Sequence, residues 1–300
     1  MTEERKQEIL EIIRNTNRRP AQTGKPLYPE EIMAYPNLCE EIESISRTVD
    51  GFSYRMDILR AKNRGENCAL FINIHGGGFI GPHRENDTYF SAYMADQIHG
   101  ITVDLDYTLS DAAPYPVALH QCMDALDYVA EHANTWGASA KDISVGGYSA
   151  GGALTAAMGI CCAERGGFVP KLQILCYPPL EYRIPDQYKI DAYDRQIGME
   201  RCKAFADLYF DDKKENFEDI HNSPLYAPRE ILAKQPKTLI LSAGLCNFRY
   251  EDEDYAICLA DAGAEVILKR FPEASHGFIP HFMDGWKEAA DLMVREILEK

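Results

Sequence analysis

The spacing of apolar positions changes along the chain. Ile9, Ile12 and Ile13 recur at helical spacing before a break rich in proline and glycine at Pro20, Gly24 and Pro26. Ile32 and Met33 predict a second short helix after Pro29. From about residue 47, short apolar runs alternate with helical spacing. Polar and apolar residues alternate over 53–59, as in a half-buried strand, and further strands are predicted at 68–74, 101–105, 143–146, 171–176, 238–243 and 265–271. Helices are predicted at 117–132 (Leu119, Cys122, Met123, Leu126, Val129), at 151–164 and at 251–262. A last helix carries Trp286, Ala290, Met293, Val294, Ile297 and Leu298 on one face. Residues 183–235 hold aromatic and charged residues without a clear strand, among them Tyr188, Tyr193, Phe205, Tyr209 and Phe210, and read as a mostly helical insertion. Buried strands separated by helices predict an α/β fold, a mostly parallel central sheet flanked by helices.

Nothing in the pattern divides the 300 residues, so one domain over 1–300 is expected. No apolar run reaches membrane-spanning length. The chain has 31 basic and 47 acidic side chains, a net charge of −16. That sign repels polyanions and argues against a nucleic-acid partner; by the same reasoning it disfavours strongly anionic substrates. The nine cysteines are scattered, without a C-x-x-C pair, and Met1-Thr2-Glu3-Glu4-Arg5-Lys6 lacks the apolar core of a secretion signal. A cytoplasmic protein with free thiols is expected.

Three motifs carry chemistry. Gly147-Tyr148-Ser149-Ala150-Gly151 fits G-x-S-x-G between a predicted strand and an alanine-rich helix, the setting of a nucleophile elbow. His75-Gly76-Gly77-Gly78-Phe79 follows the strand at 68–74; its amides, those of Gly77 and Gly78 with Ala150, suit an oxyanion hole. Ser275-His276-Gly277-Phe278 follows the last strand and offers a general base. The glycine loop is not G-x-G-x-x-G, and no Walker lysine follows it, so dinucleotide or nucleotide binding is not indicated. His75, His83, His99, His120 and His132 lack ligand spacing, so no metal is expected.

With these pieces the chain, from about residue 50 onward, resembles the hormone-sensitive-lipase-like branch of α/β-hydrolase carboxylesterases. A further match runs from Asp106-Tyr107-Thr108-Leu109 through Ala113-Pro114-Tyr115-Pro116-Val117-Ala118. The resemblance implies an α/β-hydrolase fold, no cofactor, and a helical cap built from about 1–45 and 183–235. It implies that Ser149 attacks an ester carbonyl with His276 as base, giving an acyl-enzyme, and that the substrate is a small ester of short-chain acyl, aryl or sugar type. An amide or formamide hydrolase would use the same residues, and a ligand-binding receptor on a hydrolase scaffold is the alternative from another class.

The chain departs from the family in two places. Tyr148 stands where the family has an aspartate. Counting back from Tyr255-Ala256 puts Cys246 at the position of the triad acid. The third member is therefore sought among Asn247, Glu251, Asp252 and Glu181, and a weak or atypical hydrolase follows if no charge replaces the aspartate. Oligomeric state is not legible.

Overall fold

The computed structural model describes residues 1–16, 27–184 and 197–299. The expected break at Pro20, Gly24 and Pro26, and Tyr188 and Tyr193 of the insertion, lie outside the described residues.

Eight strands form one sheet: β1 (Glu43–Val49), β2 (Phe52–Arg60), β3 (Cys68–Ile74), β4 (Ile101–Asp106), β5 (Ala138–Tyr148), β6 (Leu172–Cys176), β7 (Lys237–Ala243) and β8 (Val266–Phe271). Their spatial order is β1-β2-β4-β3-β5-β6-β7-β8. The β1–β2 and β2–β4 pairs are antiparallel and the rest of the sheet is parallel. Helices are α1 (Glu3–Asn15), α2 (Glu30–Met33), α3 (Glu85–Gln97), α4 (Val117–His132), α5 (Ala150–Arg165), α6 (Met199–Tyr209), α7 (Glu215–Glu218), α8 (Arg229–Leu232), α9 (Arg249–Ala262) and α10 (Trp286–Leu298). This is the α/β-hydrolase architecture.

The continuous apolar run of β3 follows from burial on both faces. Leu70, Ile72 and Ile74 enter one core with Leu126 of α4 and Leu154 of α5, whereas Phe71 enters the other with Phe90 of α3 and Met293 of α10. On α1, Ile9 and Ile13 pack against Ala204 and Leu208 of α6, so the N-terminal helix rests on the insertion. Among the described residues, no helix is long and apolar enough to cross a membrane.

Two elements were not anticipated. β1 begins inside the segment expected as a helical appendage; it is an edge strand with only its Ile45, Arg47 and Val49 side half-buried, too weak an alternation to stand out. α3 was not predicted because it is wedged between neighbours: Phe90, Ser91, Ala92, Tyr93, Met94 and Ala95 are all buried, which erases the one-sided stripe that helical periodicity needs.

Candidate active site

Ser149 stands between the end of β5 and the start of α5 with φ 54° and ψ −118°, a conformation strained for a residue with a β-carbon. The turn holds because its surroundings tolerate only glycine: a β-carbon on Gly151 would lie 2.1 Å from Ile74 O. The tight packing of α5 on the end of β3 thus pushes the serine hydroxyl out of the fold. His276 arrives on the loop between β8 and α10, and its Nε2 is 2.9 Å from Ser149 Oγ.

The other ring nitrogen, Nδ1, is 3.0 Å from Cys246 Sγ. Cys246 sits in the loop between β7 and α9, and Phe248 N–H donates to the same sulfur at 3.4 Å. None of the four residues expected to orient His276 does so. Asn247 Nδ2 donates to Ile197 O at 2.9 Å, which turns it toward the insertion. Glu251 accepts from Leu180 N–H at 2.8 Å and Glu181 from Ile184 N–H at 2.8 Å, so both carboxylates hold loop backbone. Asp252 is fully buried in the first turn of α9; burial first and the charge of Glu251 second push its carboxyl well above the usual range, which makes it a neutral acid. The signal for Cys246 is in the sequence, since spacing from Tyr255-Ala256 reaches it, but a thiol at that position does not stand out as a partner for histidine.

Without an anion beside it, His276 is a weak base. Burial, followed by the charge of His281, lowers it to about 3. Burial pushes the Cys246 thiol well above its usual value, so the sulfur is protonated at neutral pH.

The glycine loop after β3 faces Ser149. Gly77 and Gly78 adopt φ of 122° and 63°, and a β-carbon on Gly78 would lie 2.5 Å from the Phe205 ring of α6. The amides of Gly77, Gly78 and Ala150 donate to no described group. The loop is braced from behind. His75 stacks on Tyr107 with ring centroids 4.3 Å apart, and Tyr107 OH donates to His75 O at 3.2 Å. Ser110 donates through both N–H and Oγ to Phe79 O. Burial lowers His75 to about 4, so it is neutral. His83 contacts Asp104 at 2.7 Å, and Asn73 Nδ2 donates to the same carboxylate at 3.0 Å. Burial alone would lower His83, but the buried Asp104 carboxylate outweighs it and raises the ring to about 9. Sequence spacing left His83 unassigned; the clue was Asp104, a charge within the apolar run Ile-Thr-Val-Asp-Leu.

These groups open into a cavity of about 890 Å³ lined by α1, the glycine loop, α6 and the His276 loop. Tyr177, Tyr182, Phe205 and Phe248 contribute aromatic wall. Among the described residues, no three His, Cys, Asp or Glu side chains are placed to hold a metal ion.

The fold, the elbow and the glycine loop define a hydrolase-type site, and comparison with known proteins assigns the family. An alpha/beta hydrolase fold family matches residues 71–280, and the chain belongs to that family, in its hormone-sensitive-lipase-like branch. It is 30% identical to the esterase LipI of Mycobacterium tuberculosis over 215 residues, 70% of this chain and 65% of that protein. It is 30% identical to hormone-sensitive lipase of Bos taurus over 120 residues, 40% of this chain and 16% of the lipase. A hyperthermophilic esterase from the archaeon Pyrobaculum calidifontis superposes with a TM-score of 0.79 at 24% identity, over 99% of this chain and 98% of that one. The chain thus spans less than two thirds of LipI.

Proposed function

We propose that the protein is a carboxylic-ester hydrolase working through a serine acyl-enzyme. Ser149 Oγ attacks the ester carbonyl while His276 Nε2 takes its proton; the amides of Gly77, Gly78 and Ala150 receive the oxyanion; His276 then protonates the leaving alcohol and activates water for deacylation. The observation that carries this reading is the 2.9 Å contact between Ser149 Oγ and His276 Nε2 at a cavity wall faced by unpaired amides.

Cys246 is the third member in this reading. Nδ1–H donates to Sγ, which leaves Nε2 free as the base. The thiol orients the ring without supplying charge. It can also donate S–H to Nδ1, which would leave Nε2 protonated and unable to accept from Ser149. Both effects lower the rate relative to a carboxylate; in a serine protease, replacing the acid with an amide costs about 10⁴ in kcat.

α1 and the insertion form the cap in this account, and the aromatic wall favours short-chain acyl or aryl esters over long acyl chains. Nine cysteines outside any disulfide suit a reducing compartment such as the cytoplasm. The test is hydrolysis of p-nitrophenyl esters of increasing acyl length by wild type and Ser149→Ala. Turnover that falls at least about 10³-fold in the variant is expected. Saturable ester binding without turnover in wild type and variant alike would instead favour a receptor with a disabled triad.

A further inference from the structure

The chain is acid-rich, and its arginines are mostly paired. Arg5, Arg47, Arg60, Arg64, Arg165 and Arg270 each hold a carboxylate. The cavity wall holds three arginines, of which Arg201 is engaged with Ile13 O at 2.6 Å. Arg84 forms no ion pair with any described residue, and the one hydrogen bond of the Arg14 guanidinium goes to Leu10 O, a backbone carbonyl. Arg229 is also unpaired among the described residues, but it lies away from the cavity.

Arg84 is half-buried and lines the same cavity as Ser149 and His276. Its Nη2 is 3.4 Å from where a β-carbon on Gly81 would lie, and Gly81 N–H donates to Gly77 O at 2.8 Å. The guanidinium therefore lies against the loop whose amides face Ser149. Asp87, the carboxylate nearest in sequence, is buried and engaged: it accepts from Arg84 N–H at 2.9 Å and from Asn86 Nδ2 at 3.3 Å. Asp111, the other aspartate on the wall, is exposed.

A guanidinium is charged at every working pH and is shaped to grip a carboxylate with two parallel hydrogen bonds. Holding such a group partly desolvated on the wall of the cavity that also holds Ser149, in a chain with carboxylates to spare, is costly unless the ligand provides the counter-charge. We propose that the substrate is an ester bearing a carboxylate and that Arg84 determines this specificity, with Arg14 as the second cation at the mouth. This rests on the ester-hydrolase reading and adds the substrate class. The net charge of −16 suggested the opposite, but charges farther off than about 8 Å are largely screened at physiological salt, so the local wall decides.

The test measures kcat/KM at low ionic strength by pH-stat for two pairs matched in shape: monoethyl glutarate with ethyl valerate, and 4-acetoxybenzoate with 4-acetoxybenzamide. At least one charged ester is expected to exceed its neutral partner by about 10-fold, with the preference shrinking in high salt. Arg84→Gln is expected to reduce the charged-to-neutral ratio by about 10-fold, and Arg84→Lys by less. Charged esters no better than neutral ones in both pairs, or a preference that Arg84→Gln leaves unchanged, overturns the proposal. If neutral esters still turn over in a Ser149-dependent way, only the substrate class falls. If no ester is hydrolysed at all, both readings fall.

Discussion

At the scale of single residues, the site combines an expected part and a substituted part. Ser149 and His276 were legible because each sits in a motif after its own strand, and the fold brings together groups 127 residues apart in sequence. The partner of Nδ1 was not legible as a role. A sulfur at the acid position reads as a loss, and only coordinates reveal that it points at the ring while Asn247, Glu251, Asp252 and Glu181 are engaged or buried elsewhere. Gly78 illustrates how finely the glycine loop is set. Alanine there meets a φ of 63° and the Phe205 ring together, so the loop must shift. Gly78→Ala is expected to lower kcat/KM by about 10² with a smaller effect on unfolding, because in the proposed mechanism it displaces an oxyanion donor. Unaltered kcat/KM would show that the Gly78 amide does not face the reacting carbonyl.

At the scale of elements, strands covered on both faces were the most readable part of the chain. The run at 68–74 is β3 residue for residue, because an uninterrupted apolar stretch has few other uses. α3 and β1 were unreadable for opposite reasons, the one buried around most of its girth and the other exposed along most of its length. The buried His83–Asp104 pair links β4 to the segment leading into α3 and gives this region a pH signature. The folded-state value of His83, about 9, is above the ordinary 6.5. Its contribution to stability is therefore complete below pH 6.5 and is lost as pH rises through about 9. Asp104 is held below its ordinary 3.8: burial alone would raise it, but His83 outweighs that, so its own contribution fades in acid. Asp104→Asn is expected to destabilise the fold by about 3 kcal/mol near neutrality. It should also flatten the decline of the unfolding midpoint between pH 6.5 and 9. A variant that declines as steeply as wild type over that window would contradict the assignment.

At the scale of the whole molecule, the order of motifs along the chain carried more than composition did. Glycine loop, elbow serine and histidine follow β3, β5 and β8, which lie on one parallel sheet, so their loops emerge at the same edge. Net charge describes the average surface, whereas the cavity wall carries Arg14, Arg84 and Arg201 beside Asp87 and Asp111. The contact of α1 with α6 could not be read from either segment alone, since each shows only an apolar stripe and not its partner.

The most direct test of the central claim, a serine–histidine site with a neutral thiol in the third seat, is the pH profile of kcat/KM for wild type beside Cys246→Asp. Wild type should keep its base unprotonated well into acid, with a limb near the low value of about 3 set by burial, as far as the fold survives. A carboxylate at position 246 stabilises the imidazolium, so the limb should move to higher pH and kcat near neutrality should rise by about 10². Phe248 N–H already points at that position to receive the carboxylate. An acid limb in the same place, with kcat unchanged or reduced in a folded variant, would show that Cys246 does not serve as the partner of His276.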